Sequence, residues 1–326
     1  MNVALFYMIP GNRRHGGAAY TKHLYDAMLL SGMNPSIFTI GKTTADKQTE
    51  LMPGVMAQRL SLEAAVGLAE QWPSLVMYAH FAHFEHETSS LLYAGAGLIM
   101  HSTAELHPKL LDLLRRQGRT VVAIREALAG FLGAASVPAR FIPHPYNRAE
   151  PVETVRGKHS VSLSRVDFAK HIELIAEANI GLRDRAIKIH GEMNRLYVHH
   201  SLAKKFPNWA DHYNGGFELG DGVKLARAAR TVVDLSYWKG DGGGTQYTFL
   251  EAWDTRTPLI VHERWHAVPG SVDKNSSFAV GSALELSNSL IIDDRSFDAI
   301  VDEGERRLLS HNHSAVVPAY KDTFKW

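Results

Sequence analysis

The sequence predicts an α/β protein with two domains, and three observations lead to that prediction. Short apolar segments rich in β-branched residues recur along the chain, and most are followed by a segment with helical periodicity, as in a buried parallel sheet. The chain has 326 residues, enough for two packed cores. A polar stretch at residues 148–159 separates two such α/β halves. We therefore expect two doubly wound domains.

The expected domain boundaries follow from this pattern. Residues 1–150 form the first domain and residues 151–314 form the second. Residues 315–326 carry the aromatic side chains Tyr320 and Trp326, and we expect this tail to pack back on the first domain.

The first half opens with a strand at residues 3–8, a helix over residues 18–33 and a strand at residues 35–40. Gly16 and Gly17 stand where the helix begins, and backbone N–H groups there can bind an anion or a sugar hydroxyl. A turn that needs glycine for steric reasons is the alternative.

The rest of the first half continues the alternation. Strands are predicted at residues 52–57, 75–78, 97–100 and 121–124, and helices at residues 62–71, 106–116 and 126–132. His80, His83 and His86 follow one of these strands at three-residue spacing, which can form a metal site on a helix. No fourth ligand is evident, so we expect these histidines to line the carboxyl edge of the sheet, where α/β proteins bind ligands.

The second half repeats the pattern. Its predicted elements are strands at residues 161–163, 187–189, 232–235, 259–261 and 278–280, helices at residues 171–179, 202–209, 222–229, 246–253, 282–290 and 297–310, and a short edge segment at residues 217–219.

A glycine loop connects the strand at residues 232–235 to the next helix. Gly242, Gly243 and Gly244 precede Thr245, a good helix N-cap residue. Glycine N–H groups beside the positive end of a helix dipole form a ready phosphate site. Glu251, about two turns into the helix, can accept hydrogen bonds from sugar hydroxyls. A tight turn with a solvated glutamate is the alternative.

The composition restricts the function classes. The chain has 35 Lys and Arg residues and 34 Asp and Glu residues, so its overall charge does not indicate a nucleic-acid partner. The chain has no cysteine, which excludes disulfides, thiolate metal sites and a cysteine nucleophile. No apolar run reaches the roughly 18 residues that a membrane helix needs. The first apolar run has no charges before it, unlike a secretory signal. We expect a cytoplasmic protein.

A literal HExxH motif occurs as HERWH at residues 262–266. A zinc peptidase needs this motif on a helix, so that both histidines share one face. Here it directly follows a predicted strand, and we therefore predict no metal site.

Three segments together resemble the GT-B glycosyltransferases, and more closely the retaining enzymes of the family 4 type. The segment SLSRVDFAKHIELIAEA has Arg165 and Lys170 at the spacing of the family's two donor-diphosphate cations. LEAWDTRTPLIV matches the donor-binding segment, with Glu251 on the family's second glutamate, which binds ribose hydroxyls. GGAAYTKHLYDAMLLSGM matches the glycine loop and helix of the first domain. The resemblance covers most of the chain and implies two Rossmann-like domains that face each other across a cleft.

The sequence also departs from that family. Ser164 stands where glycine is usual, and Gly243 stands at the position of the family's first glutamate, with Asp241 the nearest acid. Asp254 and the residues after it replace another usual glycine. Contacts to the transferred sugar are therefore open.

The resemblance implies transfer of a hexose or pentose from a nucleotide-sugar, most simply a UDP-sugar, with retention at the anomeric carbon. Arg165, Lys170 and the amides of residues 242–245 would stabilise the leaving diphosphate, so no metal or other cofactor is required. His101, at the end of a first-domain strand, is the candidate beside the reacting sugar, with a structural histidine as the alternative. Gly191 and Glu192 would flank the nucleotide base.

The sequence alone does not determine which acceptor receives the sugar. Short segments such as YTFLE at residues 247–251 are similar to the phage DNA α-glucosyltransferases, which modify hydroxymethylcytosine. A DNA acceptor predicts a basic face, for which Arg13, Arg14, Arg115 and Arg116 are candidates, with Arg119 nearby. A glycan or lipid-linked acceptor and a non-catalytic nucleotide-sugar-binding module are the alternatives. The sequence leaves the sugar and the oligomeric state open.

Overall fold

The computed structural model describes residues 1–8, 16–41, 48–52, 55–78, 84–149, 156–218, 220–238, 241–270, 272–291 and 297–326. The chain divides into two compact units. Unit 1 comprises Met1–Asn147 and Ser310–Trp326, and unit 2 comprises Arg148–Leu309. Each unit is a sheet of mainly parallel strands with helices, which confirms the predicted α/β class.

The strands are, in chain order, β1 (Asn2–Phe6), β2 (Asn34–Ile40), β3 (Gln48–Met52), β4 (Val55–Leu60), β5 (Ser74–Val76), β6 (Gly97–Met100), β7 (Val121–Ala123), β8 (Ala139–Phe141), β9 (Val161–Leu163), β10 (Lys188–His190), β11 (Val232–Asp234), β12 (Leu259–His262) and β13 (Phe278–Val280).

The helices are α1 (Gly16–Leu30), α2 (Leu62–Gln71), α3 (Ser89–Tyr93), α4 (Pro108–Gln117), α5 (Glu126–Ala134), α6 (Ile172–Leu182), α7 (Arg195–Tyr197), α8 (Ala203–Lys205), α9 (Asp221–Ala228), α10 (Tyr247–Asp254), α11 (Ala283–Ser289), α12 (Asp298–Leu308) and α13 (His313–Phe324). None of them, within the described ranges, is long and apolar enough to cross a membrane.

Unit 1 has an eight-stranded sheet in the order β3-β4-β2-β1-β5-β6-β7-β8. Its pairs are parallel except for the antiparallel pair of β3 and β4. Phe6, Val76 and Leu98 belong to the buried core on one face. α13 returns from the end of the chain and packs on α1, where the hydroxyls of Tyr20 and Tyr320 form a hydrogen bond.

Unit 2 has a five-stranded parallel sheet in the order β10-β9-β11-β12-β13. Val233, Leu235 and Ile260 lie in its core with residues of α6 and α11. The chain moves from β9 to one side and later continues from β11 to the other side. This reversal between β9 and β11 is the point at which doubly wound sheets open a crevice for ligands at their carboxyl edge.

Four predicted elements were wrong in detail. The strand expected at residues 52–57 was wrong, because Met52 ends β3 and Val55 begins β4, and these two strands pair antiparallel. The helix expected at residues 202–209 is a helical run that ends at Lys205, because a residue before proline, here Phe206, avoids helical dihedrals.

The other two errors lie near the candidate site. The edge segment expected at residues 217–219 forms no strand over its described residues 217–218, because Tyr213 and Asn214 pair with Ile189 at that edge instead. Gln246, not Thr245, is the N-cap of α10; its backbone is extended, and Thr245 is fully buried.

Candidate functional site

The loops that follow β9, β10 and β11 leave the unit 2 sheet at its carboxyl edge, around the crevice position. They contain Arg165 and Lys170, then Gly191 and Glu192, then residues 241–246. The Tyr237 N–H donates to the Ala169 carbonyl at 3.1 Å, which joins the loop after β11 to the loop after β9. The sheet therefore brings together the unit 2 residues that the sequence singled out.

The loop after β9 has a defined shape that leaves one cation in solvent. Ala169 and His171 adopt left-handed backbone angles, with φ of 58° and 50°. The Arg165 side chain is 56% exposed and lies 3.2 Å from Asp167, measured from Nη1 to Oδ2. Asp167 is held in turn by the Asn194 side-chain amide, which donates to Oδ1 at 2.7 Å. Arg165 is thus positioned by one carboxylate and still open to an anionic ligand.

Gly191 allows the loop after β10 to approach the loop after β9. Its φ is 147°, and a Cβ built there would lie 2.0 Å from the Ser164 carbonyl oxygen. The Tyr213 hydroxyl donates to the Gly191 carbonyl at 2.9 Å. The backbone of Glu192 accepts from the Val166 N–H at 2.9 Å, and its side chain is exposed. These contacts explain the glycine sterically and leave the Glu192 carboxylate available at the edge.

The glycine loop after β11 presents buried backbone donors. Gly242 and Gly243 have φ of 126° and 69°, and Gly242, Gly243 and Gly244 are all buried. No acceptor in the part of the chain that the structure describes takes their N–H groups. Because buried N–H groups without partners are rare, such a cluster favours a ligand that brings acceptor oxygens. α10 begins directly after this loop with no side-chain cap.

Asp241 is already engaged, since its carboxylate accepts the Trp238 N–H at 2.8 Å. Gly243, at the position of the family's first glutamate, is packed against Gly270, whose added Cβ would lie 2.4 Å from the Gly243 Cα. The structure therefore fills the space at Gly243 with backbone.

Glu251 projects from α10 onto the face of the sheet that carries Asp234. Burial, together with the nearby carboxylates of Asp234 and Asp254, raises the pKa of Glu251 to about 8. Its carboxyl oxygens lie against the Cα of Gly222, where an added Cβ would come within 2.6 Å of Oε2. No donor among the described residues hydrogen-bonds to the Glu251 carboxyl group. Asp234 Oδ2 is likewise buried without a partner there, while Oδ1 accepts the Ser236 N–H at 2.9 Å.

An aromatic cluster at the same edge was missed by the sequence analysis. The His171 and His262 rings lie 4.7 Å apart, and Tyr237 stacks on His262 at 5.7 Å. These residues end or follow β9, β11 and β12, so only the strand order brings them together. The sequence signal was partial: Tyr237 and His262 are polar aromatic residues at or close after the end of an apolar strand, whereas His171 stands at the start of the next helix.

HERWH does not lie on an α-helix. His262 is the last residue of β12 and its Nδ1 accepts the Arg264 N–H, whereas His266 bonds to the Ser277 hydroxyl at 2.9 Å. The two imidazoles therefore have different partners. No group of three or more metal-ligating side chains occurs in the described residues.

In unit 1, Gly16, Gly17 and His101 lie at the carboxyl edge of their own sheet. Gly16 begins α1 after β1, and the Gly17 carbonyl accepts the Thr21 hydroxyl at 2.8 Å. The His101 Nε2–H donates to the Met77 carbonyl at 2.7 Å. Glu105 accepts the His101 N–H at 2.6 Å, and Tyr20 packs edge-on at 4.6 Å. The ring of His101 is thereby fixed in orientation.

Behind His101 lie two buried histidines, His144 and His311, and the half-buried His23. His311 donates from Nδ1 to the His144 carbonyl at 2.7 Å, and Asn147 donates its N–H to His23 at 3.2 Å. Burial lowers the pKa of His23 to about 3 and that of His311 to about 4, and it lowers the pKa of His144 strongly as well. These rings are neutral parts of the core that hold the end of the chain on unit 1.

The two predicted DNA-binding arginines that the structure describes, Arg115 and Arg116, do not lie at this edge. Arg115 and Arg116 lie in the last turn of α4, at the opposite edge where β7 begins. Arg115 pairs with Asp112 at 2.8 Å, and Arg116 donates to the Asp112 carbonyl. Arg13, Arg14, His80 and His83 lie outside the described residues, and His86 is exposed in a helical turn at Phe84–Thr88.

Comparisons with known proteins decide the fold. No family model matches the sequence, and no curated protein matches it. An α-glucosyltransferase in complex with UDP-glucose and DNA containing an abasic site is similar, with a TM-score of 0.71 and 10% sequence identity over 100% of both chains. Alr3699/HepE of Anabaena in complex with UDP and glucose has a TM-score of 0.71 and 11% identity over 99% of both chains. A glycosyltransferase from Rickettsia africae has a TM-score of 0.67 and 12% identity over 99% of this chain and 98% of that one.

The chain has the GT-B fold. The similarity extends over the whole length of these glycosyltransferases, which agrees with the fold that the sequence motifs implied. At 10–12% identity the likeness concerns the fold, and chemistry has to be argued from the residues.

Proposed function

We propose that the protein is a glycosyltransferase that binds a UDP-sugar at the carboxyl edge of the unit 2 sheet. One observation carries the proposal: exposed Arg165, buried glycine amides without acceptors and the unbonded carboxyl of Glu251 surround the crevice position of one sheet. A diphosphate needs cations and N–H donors, and a ribose needs a hydrogen-bonding carboxyl group. UDP in the complexes of the similar structures supports this donor.

In this proposal Arg165 and Lys170 hold the donor diphosphate. An arginine fork bonds two phosphate oxygens at once, and a lysine ammonium adds a compact charge. The amides of Gly242, Gly243 and Gly244 and the buried Thr245, before the N-terminus of α10, contribute donors for the phosphate that leaves. These groups neutralise the charge without a metal or other cofactor.

Glu251 binds the ribose hydroxyls, while Gly191 and Glu192 flank the base. Because its pKa is raised to about 8, Glu251 is protonated at neutral pH, and it can therefore both donate to and accept from a vicinal diol.

We propose transfer of a hexose or pentose with retention at the anomeric carbon. The bond between the anomeric carbon and the diphosphate oxygen breaks, and negative charge builds on that oxygen beside Arg165 and Lys170. The acceptor hydroxyl attacks the anomeric carbon from the same face and gives its proton to the leaving phosphate oxygen. His101 and the Gly16–Gly17 turn of unit 1 contribute to holding the sugar.

For the acceptor we propose a hydroxymethylated base in duplex DNA. The α-glucosyltransferase structures that contain DNA support this choice, one with an abasic site and others with a modified base. An enzyme that acts on a base must reach it outside the stack. Such an enzyme, if encoded by a phage, would work in the cytoplasm of its host.

One observation favours a second candidate, a nucleotide-sugar-binding module without turnover. Gly243 replaces the family's first glutamate and is packed against Gly270, and Asp241 already bonds to the Trp238 amide. The contact that the family makes to the transferred sugar therefore has no side chain at that position.

Nucleotide release from a panel of UDP- and GDP-sugars, with and without hydroxymethylated duplex DNA, tests the proposal. DNA-stimulated release of UDP with a mass gain on the base supports it and names the sugar. Release without a DNA response indicates a glycan or lipid-linked acceptor. Donor binding without release from any donor contradicts the enzyme and supports the binding module.

A further inference from the structure

A basic helical segment in unit 2 lies next to the candidate donor site and was not singled out by the sequence analysis. It consists of α7, a π-helical turn at Val198–Leu202, and α8, and it occupies residues 195–205 without interruption. We call it the basic segment. Its charged residues are Arg195, Lys204 and Lys205, it contains no acidic residue, and all three cations are exposed.

The basic segment is firmly attached to the unit. Tyr197 and Leu202 are buried in the unit 2 core, and the Tyr197 hydroxyl donates to Glu173 on α6 at 2.6 Å. Asn194 caps its start by accepting the N–H groups of Leu196 and Tyr197. The cations therefore stand on a fixed scaffold, which lowers the entropy cost of binding a partner.

The start of the basic segment is bonded directly to the donor loop. The side chain of Asn194 donates to Asp167, the residue that positions Arg165, at 2.7 Å. The Asn194 N–H also donates to the Val166 carbonyl at 2.9 Å. A polyanion on the segment would thus pass beside the loop that carries Arg165 and Lys170.

These cations differ from two paired arginines of the same unit. Arg148 pairs with Asp254 and Glu305, and Arg307 pairs with Glu303 and Asp273, each at 2.7–2.9 Å. Among the residues that the structure describes, no carboxylate pairs with Arg195, Lys204 or Lys205. A fixed group of positive charges without counter-charges fits a partner that brings the negative charges itself.

Two classes of polyanion come into question, a nucleic acid and an anionic membrane. A helix that binds a membrane needs an apolar face open to lipid. Here Tyr197 and Leu202 face the core, and Leu196, 60% exposed, is the one large apolar side chain of the basic segment in solvent. The segment is about 15 Å long, and duplex DNA carries about nine phosphates over that length.

We infer that the basic segment binds the phosphate backbone of acceptor DNA and holds it beside the donor loop. This inference rests on the proposed DNA acceptor and adds to it a second surface, separate from Arg115 and Arg116. Phosphate contacts of this kind set position without reading sequence. Affinity through them depends on salt and not on the base that is modified.

The test is the affinity for a fluorescent hydroxymethylated duplex across a salt series, with the triple variant R195A/K204A/K205A. Each lost phosphate contact reduces the salt slope by about 0.9, so the slope falls by about 3 and affinity at low salt falls at least about tenfold. A matched control is R183A/R185A/K188A, which removes three exposed cations from the opposite edge of the same sheet and is expected to change neither value. The charge-retaining variant R195K/K204R/K205R is expected to keep the affinity.

Affinity for UDP is measured on every variant and reports on the donor site separately. If the wild type binds DNA and the triple variant binds equally well, the inference is overturned while the proposed function stands. If the wild type binds anionic phospholipid vesicles through this segment and not DNA, the inference is overturned in favour of a membrane. If the wild type binds UDP but no DNA or vesicle, both the inference and the DNA acceptor are overturned.

Discussion

The carboxyl edges of the two sheets differ in how far their polar groups are already bonded. In unit 1 the His101 ring bonds to the Met77 carbonyl, and the buried histidines behind it bond to backbone groups. In unit 2 the glycine amides and the Glu251 carboxyl have no partner among the described residues, and Arg165 is largely exposed.

This difference indicates which edge is prepared for a charged ligand. A protein group that is already hydrogen-bonded must give up that bond to bind a ligand, so the net gain in free energy is small. A buried group without a partner gains a full hydrogen bond when the ligand binds. We therefore assign the charged part of the donor to unit 2, and treat the unit 1 edge as a rigid, mostly neutral surface.

The largest expected effect is on catalysis by the unit 2 cations. The double variant R165A/K170A is expected to lower kcat by about 10³-fold, because positioned charges at the leaving group contribute about that much. UDP release from a UDP-sugar measures it. Arg306 is a matched control, since it is exposed and paired with Glu303 at 2.6 Å much as Arg165 is with Asp167. R306A is expected to leave kcat unchanged, and an equal loss in both variants would contradict the assignment.

A glycine substitution tests the close approach of two unit 2 loops. Gly191→Ala places a Cβ 2.0 Å from the Ser164 carbonyl oxygen at φ 147°, so we expect a loss of about 3 kcal/mol in the free energy of unfolding and weaker UDP binding. Gly216→Ala is the control, because its added Cβ comes no nearer than 4.0 Å to the Glu192 nitrogen. Urea denaturation measures the free energy of unfolding of both variants. Equal values for Gly191→Ala and Gly216→Ala would show that the loops move apart easily.

Acid should loosen unit 1 through its buried histidines. The folded pKa values of about 3 for His23 and 4 for His311 lie below the ordinary 6.5. Below pH 6.5 these histidines bind protons in the unfolded chain but not in the folded unit. Their contribution to the free energy of unfolding is therefore fully present above pH 6.5 and is lost as the pH falls toward 4. We expect α1 and α13 to lose more than about 2 kcal/mol of protection between pH 7 and 5.

Hydrogen exchange, corrected for intrinsic rates, measures that loss. His311→Gln is expected to reduce it, because one titrating ring is removed. Unchanged protection of α1 and α13 at pH 5 would show that these rings are not buried in solution.

The smallest expected effect concerns Glu251 and has the opposite sign. Its pKa of about 8 lies above the ordinary 4.5, so the unfolded chain releases this proton at lower pH than the folded one. This group therefore lowers stability as pH rises from 4.5 to 8. Glu251→Gln removes that loss, and its stability relative to the wild type should improve by about 1 kcal/mol between pH 5 and 6. Urea denaturation at both pH values measures it, and a difference independent of pH would contradict the raised pKa.

Local pattern was sufficient for much of the fold. The helix over Leu62–Gln71 and the strands Gly97–Met100, Val161–Leu163 and Phe278–Val280 have the predicted bounds, because their apolar periodicity lies within the segment itself. The placement of residues on loops after strands was also sufficient to bring Arg165, Gly191 and Gly242 to one edge, since parallel strands share that edge.

Contacts that depend on strand order could not be predicted. The proximity of Glu251 to Asp234 and the rings of His171, Tyr237 and His262 arise because β9, β11 and β12 are neighbours, which no short segment encodes. Only residues 202–205 of the basic segment fell within a predicted element, the helix at residues 202–209. The charges of the basic segment stand out only once Tyr197 and Leu202 are seen to belong to the unit 2 core, which fixes the segment on the unit.

Hydrogen exchange with and without UDP tests most directly whether the unit 2 edge holds the donor. We predict new protection of the amides of Gly242, Gly243 and Gly244, together with slower exchange in the loop from Arg165 to Lys170, and little change near His101. UDP binding that leaves the glycine amides unprotected, or that protects the unit 1 edge instead, would contradict the assignment of the donor to unit 2.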